Sequence, residues 1–133
     1  MDDMKRRLLS LVLVGLSLGA LSSCVARRTK AALRSYSQVL QPGMTRKDVE
    51  DYLRANKVQF SQMCCVEAGR KHSLDDLIKV GTRHFPVPCG DESHYVAFVF
   101  NDQTQHAPAR ILQADDLDTL RSITTFQWVD DCF

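Results

Sequence analysis

A chain of 133 residues with 17 Lys and Arg against 16 Asp and Glu has a formal charge of +1, without the basic excess that duplex nucleic acid demands of a partner. Hydrophobic residues make up 44% of it, part of them in one N-terminal block, so the remainder can bury only a modest core. Five cysteines in so short a chain point away from the reducing cytosol.

Lys5, Arg6 and Arg7 precede an apolar run from Leu8 to Leu21 that is interrupted only by Ser and Gly and ends in Leu21-Ser22-Ser23-Cys24. The run is about two-thirds of the roughly 20 residues a membrane span requires. A basic head, a short apolar stretch and small residues before a cut site read as a secretory signal over residues 1–23. Ordinary cleavage would use an A-x-A-like site, for which Leu18-Gly19-Ala20 is a weak substitute. Leu-Ser-Ser-Cys resembles the bacterial lipobox, whose cysteine is lipidated on sulfur, with palmitate as an expected acyl chain of the lipid, and becomes the new N-terminus. The expectation is a signal peptide over 1–23, a lipid on Cys24 and a membrane partner reached through that lipid. Removing three basic and two acidic residues with the signal leaves 14 of each in a 110-residue remainder, one domain in size.

Residues 24–40 read as a lipid-anchored tether that becomes a short helix. Arg27, Arg28 and Lys30 come first, beside the headgroups, and Ala32, Leu33, Tyr36, Val39 and Leu40 follow at helical spacing. Pro42-Gly43 then breaks the chain and opens a single domain over 41–133. In Met44-Thr45-Arg46-Lys47-Asp48-Val49, Thr45 is the N-cap, Asp48 is the third helical position of a capping-box pattern, and Met44 can staple onto Val49. Val49, Tyr52 and Leu53 form the apolar stripe, the charged Arg46, Lys47, Glu50, Asp51 and Arg54 fall largely elsewhere, and Asn56 is the stop.

Val58 to Cys65 alternates as a first strand. Ser73 to Ile78 reads as a short capped helix ending before Gly81, with a strand as the alternative. The prolines of His84 to Gly90 make it an extended loop. His94 to Phe100 is the strongest strand. After a polar loop from Asn101 to Ala109, Leu117 to Trp128 reads as a last long strand. The fold class is therefore α+β, with an N-terminal helix or helices packed on one face of a small antiparallel β-meander of about three strands.

With Cys24 set aside, Cys64, Cys65, Cys89 and Cys132 form an even set, and two disulfides account for them. A bond between the neighbours Cys64 and Cys65 is disfavoured by geometry, so each is expected to join Cys89 or Cys132. A three-strand meander supports this by bringing all four to one end of the sheet. Zinc would require paired C-x2-4-C spacing and a redox site C-x-x-C, and neither is present. No cofactor or metal is expected.

Leu40-Gln41-Pro42-Gly43-Met44-Thr45-Arg46-Lys47-Asp48-Val49, with Leu53, resembles the start of the SmpA/OmlA-like small outer-membrane lipoproteins of the β-lactamase-inhibitor-protein-like superfamily. Gly43, Met44, Thr45, Val49 and Leu53 match its helix pattern, whereas Asn56-Lys57-Val58 replaces its Gly-x-Pro, and the four cysteines are not part of it. The resemblance implies a helix followed by an antiparallel sheet in a periplasm-facing lipoprotein of the cell envelope, at the outer rather than the inner membrane. It also implies protein binding or help in envelope assembly, with no binding residue carried over.

Catalytic patterns are sparse, and no enzyme activity or small-molecule substrate is expected. Cys89, Asp91 and His94 include a nucleophile, an orienter and a base, and the alternative function is a small secreted or anchored enzyme working through Cys89 and His94. His72, His84, His94 and His106 lack ligand spacing, and Asp115, Asp116 and Asp118 form a solvated acidic turn rather than a calcium loop. A meander with one face covered can bind an envelope protein through the other, and Tyr95 and Trp128 are the first candidates.

Overall fold

The computed structural model describes residues 24–64, 66, 74–84, 90–102 and 113–129. Helix α1 occupies 24–39 and α2 Arg46–Ala55, followed by β1 Ser61–Met63, β2 Asp75–Arg83, β3 Glu92–Asn101 and β4 Thr119–Val129. The strands form one sheet in the order β1-β2-β3-β4, each pair antiparallel. The class is α+β. The meander has four strands where about three were expected.

The additional strand is β2, over the segment read first as a capped helix. From Asp75 to Ile78 every residue is buried, on both faces, and the strand is paired to β1 on one edge and β3 on the other. A local helix signal cannot compete with two sets of ladder bonds. Conversely, β1 shrinks to three residues, because Val58 and Phe60 turn into the core before the pairing starts.

The segment read as a tether and short helix is helical from 24 to 39. The backbone is already helical at Cys24, so among the described residues no extended spacer separates that cysteine from the domain. Ala32, Leu33 and Tyr36 pack against the core, Leu40 is buried just beyond the helix, and Val39 is exposed. The Tyr36 ring meets Phe98 edge-on at 5.5 Å between centroids. At the other end of α1, Val25 lies so close to Gly81 of β2 that a β-carbon there would sit 3.4 Å from its Cγ1. Gly81 pairs with His94, four residues before Phe98 in β3, about 13 Å along the strand, and Val25 to Tyr36 rises about 16 Å. Helix α1 therefore runs along the strands rather than across them.

Pro42 and Gly43, with φ of +95° at Gly43 and a Met44 N–H to Gln41 carbonyl bond of 3.2 Å, make the type II turn into α2. The capping pattern forms as expected: the Thr45 hydroxyl accepts from the Asp48 N–H at 3.2 Å and donates to Asp48 Oδ2 at 2.7 Å. Two further first-turn donors, the Arg46 and Lys47 N–H groups, go to the carbonyls of Asp118 and Asp116 at 2.7 and 3.2 Å. At the far end Lys57 N–H bonds Arg54 O and Val58 N–H bonds Leu53 O, both at 2.9 Å, a Schellman ending. Such an ending puts Lys57 in the left-handed region, φ 56°, where a side chain costs about 1–2 kcal/mol. Lys57→Gly is expected to stabilise the domain by about 0.5–1 kcal/mol after the greater chain entropy of glycine is counted. A lowered urea midpoint for that variant would refute this.

Both helices cover the same sheet face. Leu40, Val49 and Leu53 meet Ile78, Val96, Phe98, Phe100 and Leu120 in one cluster, and each such large side chain contributes about 1.5–3 kcal/mol by leaving water.

Candidate functional site

Charge is buried beneath α2. Arg46, expected with the charges that fall largely off the apolar stripe, is 1% exposed, as it stands on the same stripe as Val49, Glu50 and Leu53. Its Nη1 donates to Asp76 Oδ1 at 2.7 Å, its Nε to Asp118 Oδ2 at 3.3 Å and its Nη2 to the Leu74 carbonyl. The guanidinium carbon lies 3.9 Å from the centre of the Phe100 ring. Asp76 is fully buried and its Oδ2 has no hydrogen-bond partner. Burial above all, with Glu50 adding to it and Arg46 opposing it, pushes the Asp76 carboxyl up to about 7. Glu50 is itself buried, pairs with Arg54 and accepts from Gln62 at 3.2 Å.

This network ties α2 to β2 and to the turn before β4. Asp118, expected in a solvated turn, is buried and holds that turn together by accepting from the Asp115 N–H at 3.0 Å as well as from Arg46. A sequence signal for it existed: Arg46 stands at i, i+3, i+4 and i+7 with Val49, Glu50 and Leu53. Its bonds to Asp76, Asp118 and Leu74 occupy the guanidinium within the protein, so its chemistry is structural.

The opposite sheet face has two halves. Leu77, Ala97 and Val99 are fully enclosed there, whereas Lys79 and Trp128 are exposed and Tyr95 and Phe126 half-buried. Tyr95 pairs with Phe126 across β3 and β4, and Trp128 follows two residues along β4 on the same face. The three rings form a row, with centroids 6.2 Å apart at each step. The structure thus brings the sequence candidates Tyr95 and Trp128 together through Phe126, which the sequence reading did not single out. The period-two pair in Phe126-Gln127-Trp128 was the available signal. Trp128 and the adjacent Val129 are each 48% exposed. The outer edge of β4 pairs with the 43–45 segment at its start, and from Arg121 to Val129 no described strand lies against it.

Cys24 is exposed and a free thiol, while Cys64 is disulfide-bonded. Cys65, Cys89 and Cys132 lie outside the described residues, as do His72 and His106. The added strand β2 removes one argument for the pairing. Met63, beside Cys64, is at the sheet end shared with Asp75 and Thr119, whereas Glu92 and Val129 are at the other, one length of β2, about 26 Å, away.

His94 does not face solvent. Its ring is on the helix side, 5% exposed, with Nδ1 3.4 Å from the Gln127 amide and Nε2 2.6 Å from Glu92 Oε1 without hydrogen-bond alignment. His84 is exposed and pairs with Asp91 at 2.9 Å. Among the described residues no cluster of three or more His, Cys, Asp or Glu side chains is arranged to hold a metal ion, and no helix is long and apolar enough to cross a membrane.

No protein family, characterised protein or solved structure gives a significant match. The functional reading therefore rests on the chain's own residues and on their arrangement.

Proposed function

We propose that the protein is a lipid-anchored, periplasm-facing interaction protein of the bacterial cell envelope, akin to the SmpA/OmlA-like lipoproteins and without a catalytic role. The observation that carries this reading is the division among the cysteines: Cys24 is an exposed free thiol, and Cys64 is held in a disulfide. Five cysteines then divide into one lipid attachment and two bridges drawn from Cys64, Cys65, Cys89 and Cys132. The outer edge of β4 from 122 to 129, against which no described strand lies, and the row of Tyr95, Phe126 and Trp128 supply the contact surface for an envelope protein, by strand addition and aromatic burial.

Intact mass of the membrane-extracted protein tests the anchor and the bridges together. The expected species begins at Cys24, carries acyl mass, and gains alkylatable thiols at the other four cysteines only after reduction. Cys24→Ser should lose the acyl mass. A chain retaining residues 1–23, or four thiols open without reduction, would refute the corresponding part. Crosslinking in intact membranes should recover an envelope protein joined to β4, and recovery of none counts against the interaction role.

A further inference from the structure

The head of α1 and the exposed end of the aromatic row occupy the same end of the sheet. Val25, next to Cys24, rests on Gly81, which pairs with His94, which pairs in turn with Gln127, the neighbour of Trp128. Helix α1 lies on one face of that end and Trp128 projects from the other. Because the backbone is already helical at Cys24 and Val25 rests on the sheet, a lipid on that sulfur would hold this end of the sheet close to the headgroups, with no extended spacer between them.

The residues exposed there have the chemistry of a membrane interface. Trp128 and Val129 present an apolar surface, and tryptophan, with an apolar body and one N–H donor, favours the boundary between hydrocarbon and water. Arg27, Arg28 and Lys30 are all exposed on the first turns of α1. The nearby acids Asp91 and Glu92 each lie beside a histidine, His84 and His94, while Asp130 and Asp131 lie outside the described residues. Basic residues and an apolar tip on one end complement an anionic lipid surface.

We propose that this end of the domain is a membrane seat: Trp128 and Val129 enter the interface of an anionic bilayer while Arg27, Arg28 and Lys30 meet its headgroups. The assignment rests on the anchored reading and refines it. The outer end of the open face belongs to lipid, and Tyr95, Phe126 and the edge of β4 remain for a protein partner. The sheet then stands upright on the membrane, presenting that edge sideways.

Trp128 is the chain's single tryptophan, so its fluorescence reports the seat directly. The membrane-extracted, acylated protein is reconstituted into phosphatidylcholine vesicles with or without phosphatidylglycerol, and flotation and emission are read on the same samples. Flotation in both, with a blue shift and bromolipid quenching that are larger when phosphatidylglycerol is present, is the expected result. Val129→Asp should reduce the quenching, and joint replacement of Arg27, Arg28 and Lys30 by Gln should remove its dependence on phosphatidylglycerol, both without loss of flotation. Flotation with unshifted, unquenched emission overturns the seat and leaves the anchor standing. A blue shift without bromolipid quenching assigns Trp128 to a protein contact, and equal quenching in both vesicles refutes the anionic surface. Failure to float overturns anchor and seat together.

Discussion

Replacing Arg46 by Met is expected to destabilise the domain by about 3–5 kcal/mol near neutral pH, the usual cost of removing one partner from a buried ionic group. Arg46 is the cation within hydrogen-bonding reach of both Asp76 and Asp118, and neither carboxylate can turn to water, because both are buried. Loss of the guanidinium also leaves the Leu74 carbonyl without this donor and takes the cation from the Phe100 ring. Lysine should recover little. A single ammonium cannot donate at once to Asp76, Asp118 and Leu74 from the three edges of a planar fork. Adding Asp118→Asn to Arg46→Met should restore part of the loss, since one buried charge that had faced the guanidinium disappears. Urea unfolding of the purified variants, with the slope checked for constancy, measures each step. A loss below about 1 kcal/mol for Arg46→Met would mean that the network is solvated rather than enclosed.

The same network shows where sequence reading stops. Local chemistry was legible. Thr45 and Asp48 announce the start of α2 through side-chain bonds three residues apart, and both bonds form. His94 to Phe100 reads as a strand because its β-branched and aromatic residues fit a central position whatever the partners. Asp75-Asp76 could not be read in that way. Two adjacent aspartates are poor strand residues, and they stand at a buried strand start with Arg46, thirty residues earlier, donating to Asp76 and with Asp75 accepting the Val66 N–H at 2.8 Å. Burial of Arg46 and strand formation at Asp76 are one long-range event, and missing either hides the other. The missing strand also removes the meander argument for grouping the cysteines, because inserting β2 exchanges the sheet ends between β1 and its successors. The juxtaposition of Tyr95 and Trp128 does not depend on β2. Their positions on β3 and β4 depend on the pairing of those two strands, which runs from Glu92 with Val129 to Asn101 with Thr119.

Between about pH 4 and pH 7 Asp76 should make the folded domain less stable as pH rises, by on the order of 4 kcal/mol across the window. The sign follows from burial. The carboxyl titrates near 3.8 when unfolded and near 7 in the fold, so within that interval the folded state holds a proton that the unfolded state has released. Stability from the neutral form is complete below the lower value and lost as pH climbs through the upper one. Arg46 pulls the other way, as does the Gln62 amide more weakly, and burial prevails over both because Asp76 is fully enclosed. Exposed pairs such as Lys47 with Asp51 bring pH effects of their own, so the decisive quantity is the difference between wild type and Asp76→Asn. Asparagine keeps the shape and cannot ionise. Its stability relative to wild type should grow as pH rises through the window and level off above it. A difference that stays flat, or that grows toward acid, would show that the Arg46 ion pair prevails over desolvation and holds Asp76 ionised inside the core.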